Sequence, residues 1–143
     1  MIEQLIFEEL DKYKNDIETI KEKKTIDCIT IFSSSENDYK RLNNELSNNK
    51  LIDQMTSGNL YYLNEPIKTM YGNLFFIKIR KHDDNYNNYR ISVDFTVNNY
   101  NDYKNKLDNP TIKTYDTFEL IQFKTDKSII NIISLSAKDD YKL

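Results

Sequence analysis

The first 24 residues repeat apolar side chains at intervals of three and four, the spacing of one face of an α-helix. The apolar positions are Ile2, Leu5, Ile6, Leu10, Tyr13, Ile17 and Ile20. Acidic residues lead this segment and lysines close it, an order that suits the helix dipole. We predict a helix over residues 2–24. A second helix is predicted over about residues 36–47, because Ser35 and Asp38 have the spacing of a helix N-cap.

Residues 26–32 and the chain beyond residue 58 have a different pattern. The segment 26–32 is rich in β-branched residues and is compatible with a strand or a helical turn. Residues 89–97 alternate strictly between apolar and polar, which is typical of a half-buried strand. Further strands are predicted at 74–81, 118–124 and 128–135, and a short helix at 99–107 with Asn98 or Asn99 as its cap. The tail 137–143 is expected to fray.

This order of elements predicts the α+β class, with N-terminal helices packed on a mostly antiparallel sheet that contains one inserted helix. We expect residues 1–143 to form a single domain, in which 1–57 is mainly helical and 58–135 is mainly antiparallel sheet. No internal repeat is visible in the sequence. Its 143 residues suit one domain with a substantial core.

The composition excludes several classes of protein. The chain has one cysteine, so it forms no internal disulfide, and no apolar run approaches the roughly 20 residues of a membrane span. The N-terminus does not resemble a signal peptide, and we therefore expect a cytoplasmic protein that makes no membrane contact. Two isolated glycines cannot form a glycine-rich phosphate loop.

One strand pair, 74–81 and 89–97, carries the most informative charges. The net charge of the chain is −3, yet the segment 68–90 holds five basic and two acidic residues and is net +3. If the two strands form a hairpin, alternation places Lys78, Arg80, Arg90 and Asp94 on one sheet surface. This surface is a candidate binding site for an anion or an acidic partner. The alternative is a solvated face with ordinary cross-strand charge pairs.

Other reactive residues form no recognisable catalytic or metal set. His82 is the only histidine, and it lies beside two aspartates in a predicted loop, where an exposed role is favoured over acid–base chemistry. Cys28 lacks a basic neighbour, so a buried structural thiol is favoured. Asp94 followed by Gln122 and Lys124 faintly matches the pattern of metal-dependent nucleases, but the second acid is missing. We predict no metal and no cofactor.

Tyrosines are numerous near the basic segment and can stack on nucleic-acid bases or contact a protein. They are Tyr61, Tyr62, Tyr71, Tyr86, Tyr89, Tyr100 and Tyr103. Their even spread matches no RNA-binding motif, and the negative net charge disfavours nucleic acid.

Three segments within residues 60–124 resemble a family of small prokaryotic proteins that has no assigned activity. They are LYYLNEPIKTMYGNLFFIKIRKHD, YRISVDFTVNNYNDYKNKL and FELIQF. A phenylalanine of the family pattern is replaced by Tyr103. The resemblance implies no catalytic residues. It implies only that Arg80, Asp94 and Glu119 lie in the part of the chain that is worth testing.

The sequence thus favours a non-enzymatic binding module that uses Lys78, Arg80, Arg90 and Asp94 to hold a protein or an anionic ligand. One alternative is a nucleic-acid-binding or processing protein of phage or mobile-element type. The other is a hydrolase with a carboxylate and histidine site, formed by Asp94, Glu119 and His82. The sequence leaves the oligomeric state open.

Overall fold

The computed structural model describes all 143 residues, Met1–Leu143, which form four α-helices and one eight-stranded sheet. The helices are α1 (Ile2–Thr19), α2 (Glu36–Glu45), α3 (Tyr100–Lys106) and α4 (Ala137–Asp140). The strands are β1 (Lys24–Phe32), β2 (Lys50–Met55), β3 (Gly58–Thr69), β4 (Gly72–Arg80), β5 (Ile91–Val97), β6 (Ile112–Thr114), β7 (Glu119–Lys124) and β8 (Ile129–Ile133). The fold is α+β, as predicted, and α3 is the inserted helix.

The strands follow the order β2-β3-β4-β1-β5-β8-β7-β6 across the sheet. Two pairs are parallel, β1 with β4 and β5 with β8, and the other five pairs are antiparallel. Residues 24–80 and 91–133 therefore share one topology, strand–helix–strand–strand–strand. The antiparallel pair β1–β5 joins the two halves at the centre. This repeat is invisible in the sequence because topology depends on patterning and turns, not on residue identity.

The main core lies between three helices and one face of the sheet, here called the helical face. The buried stripe of α1 consists of Ile2, Ile6, Leu10, Tyr13 and Ile17. It belongs to one cluster with residues of α2, α3 and the central strands, including the fully buried Phe95. The Tyr13 hydroxyl donates a 2.6 Å hydrogen bond to the backbone oxygen of Ile91, so α1 is fixed to the middle of the sheet.

Both predicted helix caps are present. The Ser35 hydroxyl accepts a hydrogen bond of 3.0 Å from the Asp38 backbone N–H, and the Asn99 side chain accepts one of 3.0 Å from the Asp102 N–H. These bonds satisfy N–H groups that the first turn of a helix leaves free. None of the four helices is both long and apolar enough to cross a membrane.

Residues 1–57 contain the helices α1 and α2, as expected, but they also contain the strands β1 and β2. β1 has neighbours on both sides, and its buried positions lie on both faces, with Ile29 and Ile31 in the main core and Cys28 in a small cluster on the opposite face. A strand in that position loses the alternation that identifies an edge or half-exposed strand. The ambiguity over residues 26–32 has this physical origin.

The expected hairpin between the two informative strands is wrong. β4 and β5 are not neighbours, because β1 lies between them and pairs with both. Thr30 of β1 stands opposite Lys78 on one side and Ser92 on the other. The inserted strand comes from more than 40 residues earlier in the chain, a long-range pairing that local patterns do not report.

Candidate functional site

The second face of the sheet, here called the open face, carries a cleft of about 840 Å³. Its floor is the central strands, with Thr30, Lys78, Ser92 and Asp94 among the lining residues. Two other parts of the chain line the cleft as well. One is the β6–β7 turn with its neighbours, residues 113–118, and the other is the C-terminal segment 135–141, here called the strap.

A row of polar side chains runs along the floor from β7 to β5. Asp94 stands opposite Asn131, and Asn131 stands opposite Gln122. The Gln122 amide donates to Asn131 Oδ1 at 3.2 Å, and the Asn131 amide donates to Asp94 Oδ1 at 2.9 Å. Asp94 Oδ2 accepts no hydrogen bond. The pKa of Asp94 is raised to about 6, chiefly by burial and to a smaller extent by nearby Asp27, while Asn131 and Lys78 act against the shift.

Lys78 is the half-buried cation of the floor. Its ammonium group donates a 2.7 Å hydrogen bond to the Ser57 hydroxyl and forms no salt bridge. Burial lowers the pKa of Lys78, and the charge of Arg80 lowers it further, whereas Asp94 and Asp53 act in the opposite direction. The site thus holds a partly desolvated ammonium group without a carboxylate partner, which is an unfavourable state for a lysine.

Arg80 lies at the rim of the cleft against two aromatic rings. Phe32 and Tyr86 stack with centroids 4.8 Å apart, and the guanidinium carbon of Arg80 is 4.3 Å from the Tyr86 centroid. The only salt bridge of Arg80 is a long one of 3.6 Å to Asp83. Stacking orients the guanidinium group without neutralising it, so its charge remains available to a ligand.

The strap is attached to the open face at two points. The Ala137 backbone N–H donates to Asp27 Oδ2 at 3.0 Å, and the Tyr141 hydroxyl donates to Asp53 Oδ2 at 2.5 Å. Burial raises the pKa of Asp27 to about 6, although the Ala137 hydrogen bond works against this shift. The strap also packs on a small apolar cluster around Cys28, Leu60 and Phe76. The expectation of a frayed tail is therefore wrong.

Charges of both signs line the cleft. The cations are Lys78, Arg80 and Lys113, and the carboxylates are Asp27, Asp53, Asp94, Asp116 and Asp140. Two of these carboxylates, those of Asp27 and Asp53, already accept hydrogen bonds from the strap. The cleft is therefore bipolar, and the basic character of segment 68–90 is not reproduced in three dimensions.

The structure brings Lys78, Arg80 and Asp94 into one cleft but separates Arg90 from them. Arg90 precedes β5 and points toward α2, where its Nη1 atom lies 2.6 Å from Asp38 Oδ2 and 2.9 Å from the Phe32 carbonyl oxygen. Burial alone would raise the pKa of Asp38, but hydrogen bonds from Arg90, the Ser34 N–H and Arg41 together hold it well below its usual value. Arg90 therefore links α2 to the end of β1 through these hydrogen bonds.

The residues of the expected hydrolase site are not brought together. Glu119 lies on the helical side, where it accepts hydrogen bonds from Tyr100 at 2.8 Å and Lys104 at 2.7 Å. His82 bonds instead to the Ser33 carbonyl oxygen and to Asp84, both at 3.1 Å. No group of three or more His, Cys, Asp or Glu side chains is arranged to hold a metal ion.

Several tyrosines that the sequence suggested as a stacking surface are not at the surface. Tyr61 and Tyr103 are buried in the core, and Tyr71 packs edge-on against Phe95. Tyr86 does line the cleft, through its stack with Phe32. The tyrosines therefore form no continuous platform for bases.

Sequence reasoning missed the residues that wall the cleft. Ser136 and Asp139 have the same spacing as the Ser35 cap, and the Ser136 hydroxyl does accept the Asp139 N–H at 3.1 Å. That pattern was available as a sign of order in the tail. No local pattern could show that Asn131 would stand between Gln122 and Asp94.

Comparison with known proteins supports the fold and does not extend to function. One solved structure, described as structural genomics protein EC4020, matches with a TM-score of 0.68 and 13% identity. The match covers 97% of this chain and 91% of that one. No protein-family model and no curated protein matches the chain, so the resemblance drawn from residues 60–124 gains no support. The fold and site together define an α+β protein with a bipolar cleft on its open face.

Proposed function

We propose that the protein is a non-enzymatic binding module that holds an anionic group, a carboxylate or a phosphate, in the open-face cleft. The observation that carries this proposal is the state of Lys78. Its ammonium group is half-buried, has one neutral hydrogen-bond partner and has no salt bridge. An anion placed on it would supply the countercharge and the hydrogen bonds that replace the water removed by burial.

Arg80 supports the same role. Its guanidinium group is held by the aromatic stack and lines the same cleft, and its 3.6 Å contact with Asp83 is too long to saturate it. The binding group is therefore two cations on adjacent open-face positions of β4. The acidic side chains elsewhere in the cleft favour a small anionic group over the extended phosphate chain of a nucleic acid.

The protein has one cysteine and no disulfide, and we propose the cytoplasm as the location of the protein.

The test is a titration with defined anions, acetate and inorganic phosphate, followed by the backbone amide signals of the protein in NMR spectra. We expect saturable shifts at Ser57, Lys78 and Arg80. In the variant Lys78→Gln the affinity should fall about 10- to 100-fold, since a hydrogen bond to a charged group contributes about 1.5–3 kcal/mol.

The matched control is Lys68→Gln, which removes an exposed lysine of β3 that does not line the cleft. It should bind both anions as the unmodified protein does. If neither anion shifts these signals, or if Lys78→Gln and Lys68→Gln weaken binding equally, the proposed function is wrong.

A further inference from the structure

We propose that the ligand is bipolar: a small amphoteric molecule whose anionic end lies on Lys78 and Arg80 and whose ammonium end lies on Asp94. This inference rests on the proposed function and specifies its ligand. The cleft carries a separate acceptor site beside the cationic one, and the lining between the two is largely neutral.

The acceptor site follows from the direction of the hydrogen bonds in the polar row. Gln122 donates to Asn131, and Asn131 donates to Asp94 Oδ1, so each amide commits one N–H within the row and the row ends on the Asp94 carboxylate. Asp94 Oδ2 and Gln122 Oε1 remain as acceptors without partners. A second anionic group would meet repulsion here, whereas an ammonium group would supply the missing donors and the missing countercharge.

The ionisation of Asp94 is consistent with this role. Asp94 forms no salt bridge, and burial raises its pKa to about 6, so it is mostly ionised at neutral pH although the cleft disfavours its charge. A carboxylate that is destabilised in a cleft is a common property of binding and catalytic sites. A bound ammonium group would offset the free-energy cost that burial imposes on the charge of Asp94.

The distance between the two sites sets the length of the ligand. Lys78 and Asp94 lie on strands separated by β1. They are offset by two residues along the strand direction, since Lys78 pairs with Thr30 and Asp94 pairs with Cys28. Two strand spacings and two residues along the strand place their Cα atoms about 12 Å apart. The Lys78 side chain extends toward Ser57, just before the start of β3, on the side of β4 away from β1, so it does not shorten this spacing toward Asp94.

Thr30 and Cys28 of β1 form the floor between the two sites and carry no formal charge. The larger apolar side chains lie beyond the two sites, Leu60 on the far side of Lys78, and Phe118 and Leu120 on the far side of the polar row. An ω-amino carboxylate, with a chain of methylene groups between its two charges, matches this distribution of charge.

The experiment compares three probes of equal chain length: ω-amino carboxylates, simple alkyl carboxylates and alkylamines, each with about three to seven methylene groups. Binding is followed by the NMR shifts already described. At the best length we expect the ω-amino carboxylate to bind at least about tenfold more tightly than the carboxylate. Asp94→Asn should remove that gain while carboxylate binding persists, and Asp108→Asn, an exposed control, should keep it.

The outcomes separate the two proposals. If the carboxylates bind through Lys78 but the amino group gives no gain, or the gain survives in Asp94→Asn, the bipolar ligand is refuted and the anion-binding function stands. If neither carboxylates nor ω-amino carboxylates bind, both proposals fall. Thermal unfolding of Asp94→Asn is the check that the variant is folded; in a folded variant, a lost gain reports on the missing charge.

Discussion

Replacing Asp94 by asparagine should make the protein more stable at neutral pH. The side chain keeps its shape, and its Oδ1 atom can still accept the 2.9 Å hydrogen bond from Asn131. What disappears is the negative charge that the cleft disfavours. The substitution therefore isolates the electrostatic cost of Asp94 from its packing.

The size of the effect follows from the pKa of Asp94, which burial raises from 3.8 to about 6. This rise in pKa corresponds to about 3 kcal/mol of unfolding free energy. Asp94 is only half-buried, so solvent screening reduces this to about 1–2 kcal/mol. Because the folded-state pKa is the higher one, this stability is fully present below pH 3.8 and is lost as the pH rises through about 6.

The assay is urea unfolding of the parent protein and of Asp94→Asn at several pH values between 3.5 and 8. We expect equal stabilities at the acidic end and an advantage of about 1–2 kcal/mol for Asp94→Asn at pH 8. Asp108→Asn should show no such pH-dependent advantage, because Asp108 is exposed and makes no hydrogen bond. An advantage that does not change with pH, or a variant that is less stable at pH 8, would refute the electrostatic argument.

Three further predictions test other parts of the structure. Arg90→Ala should lower the urea unfolding free energy by about 1–3 kcal/mol, and Arg90→Lys should not restore it, because a lysine cannot reproduce the paired contacts of the guanidinium group; full rescue by lysine would contradict this. Gly58→Ala should destabilise the fold by more than about 2 kcal/mol in the same assay, because its Cβ would lie 2.0 Å from the Ile79 backbone oxygen; a neutral result would show that β3 and β4 separate easily there. Tyr141→Phe should speed the labelling of Cys28 by a thiol reagent several-fold, since loss of its hydroxyl hydrogen bond loosens the strap; an unchanged rate would show that the strap does not control access.

The local features of the fold could be predicted from the sequence because each depends on neighbours within a few residues. The stripe of α1, the cap at Ser35 and the alternation of β5 are of this kind. They combine a periodic pattern with a hydrogen bond over three positions. The α+β class follows from the order of such elements.

The candidate site could be predicted only in part. Alternation correctly assigned Lys78, Arg80 and Asp94 to one face, because side-chain direction in a strand depends on position parity alone. Arg90 belongs to the same parity but precedes the strand, so the bend before Ile91 turns it toward Asp38. The alternation of side chains between the two faces applies only where the backbone is extended as a strand.

The sequence by itself determined the strongly periodic elements, such as α1, α2 and β5, where several of them begin, and which side chains of a strand share a face, but it left β1, β2 and α4 undecided. The tertiary structure alone decided that β1 enters between β4 and β5, and that the strap and the β6–β7 turn wall the open face. The physical reason is that strand order and strap position depend on backbone pairing and burial between residues far apart in the chain. The cleft depends on those distant contacts. Lys78 in β4 and Asp94 in β5 lie on opposite sides of β1, a strand that is far from both of them in sequence.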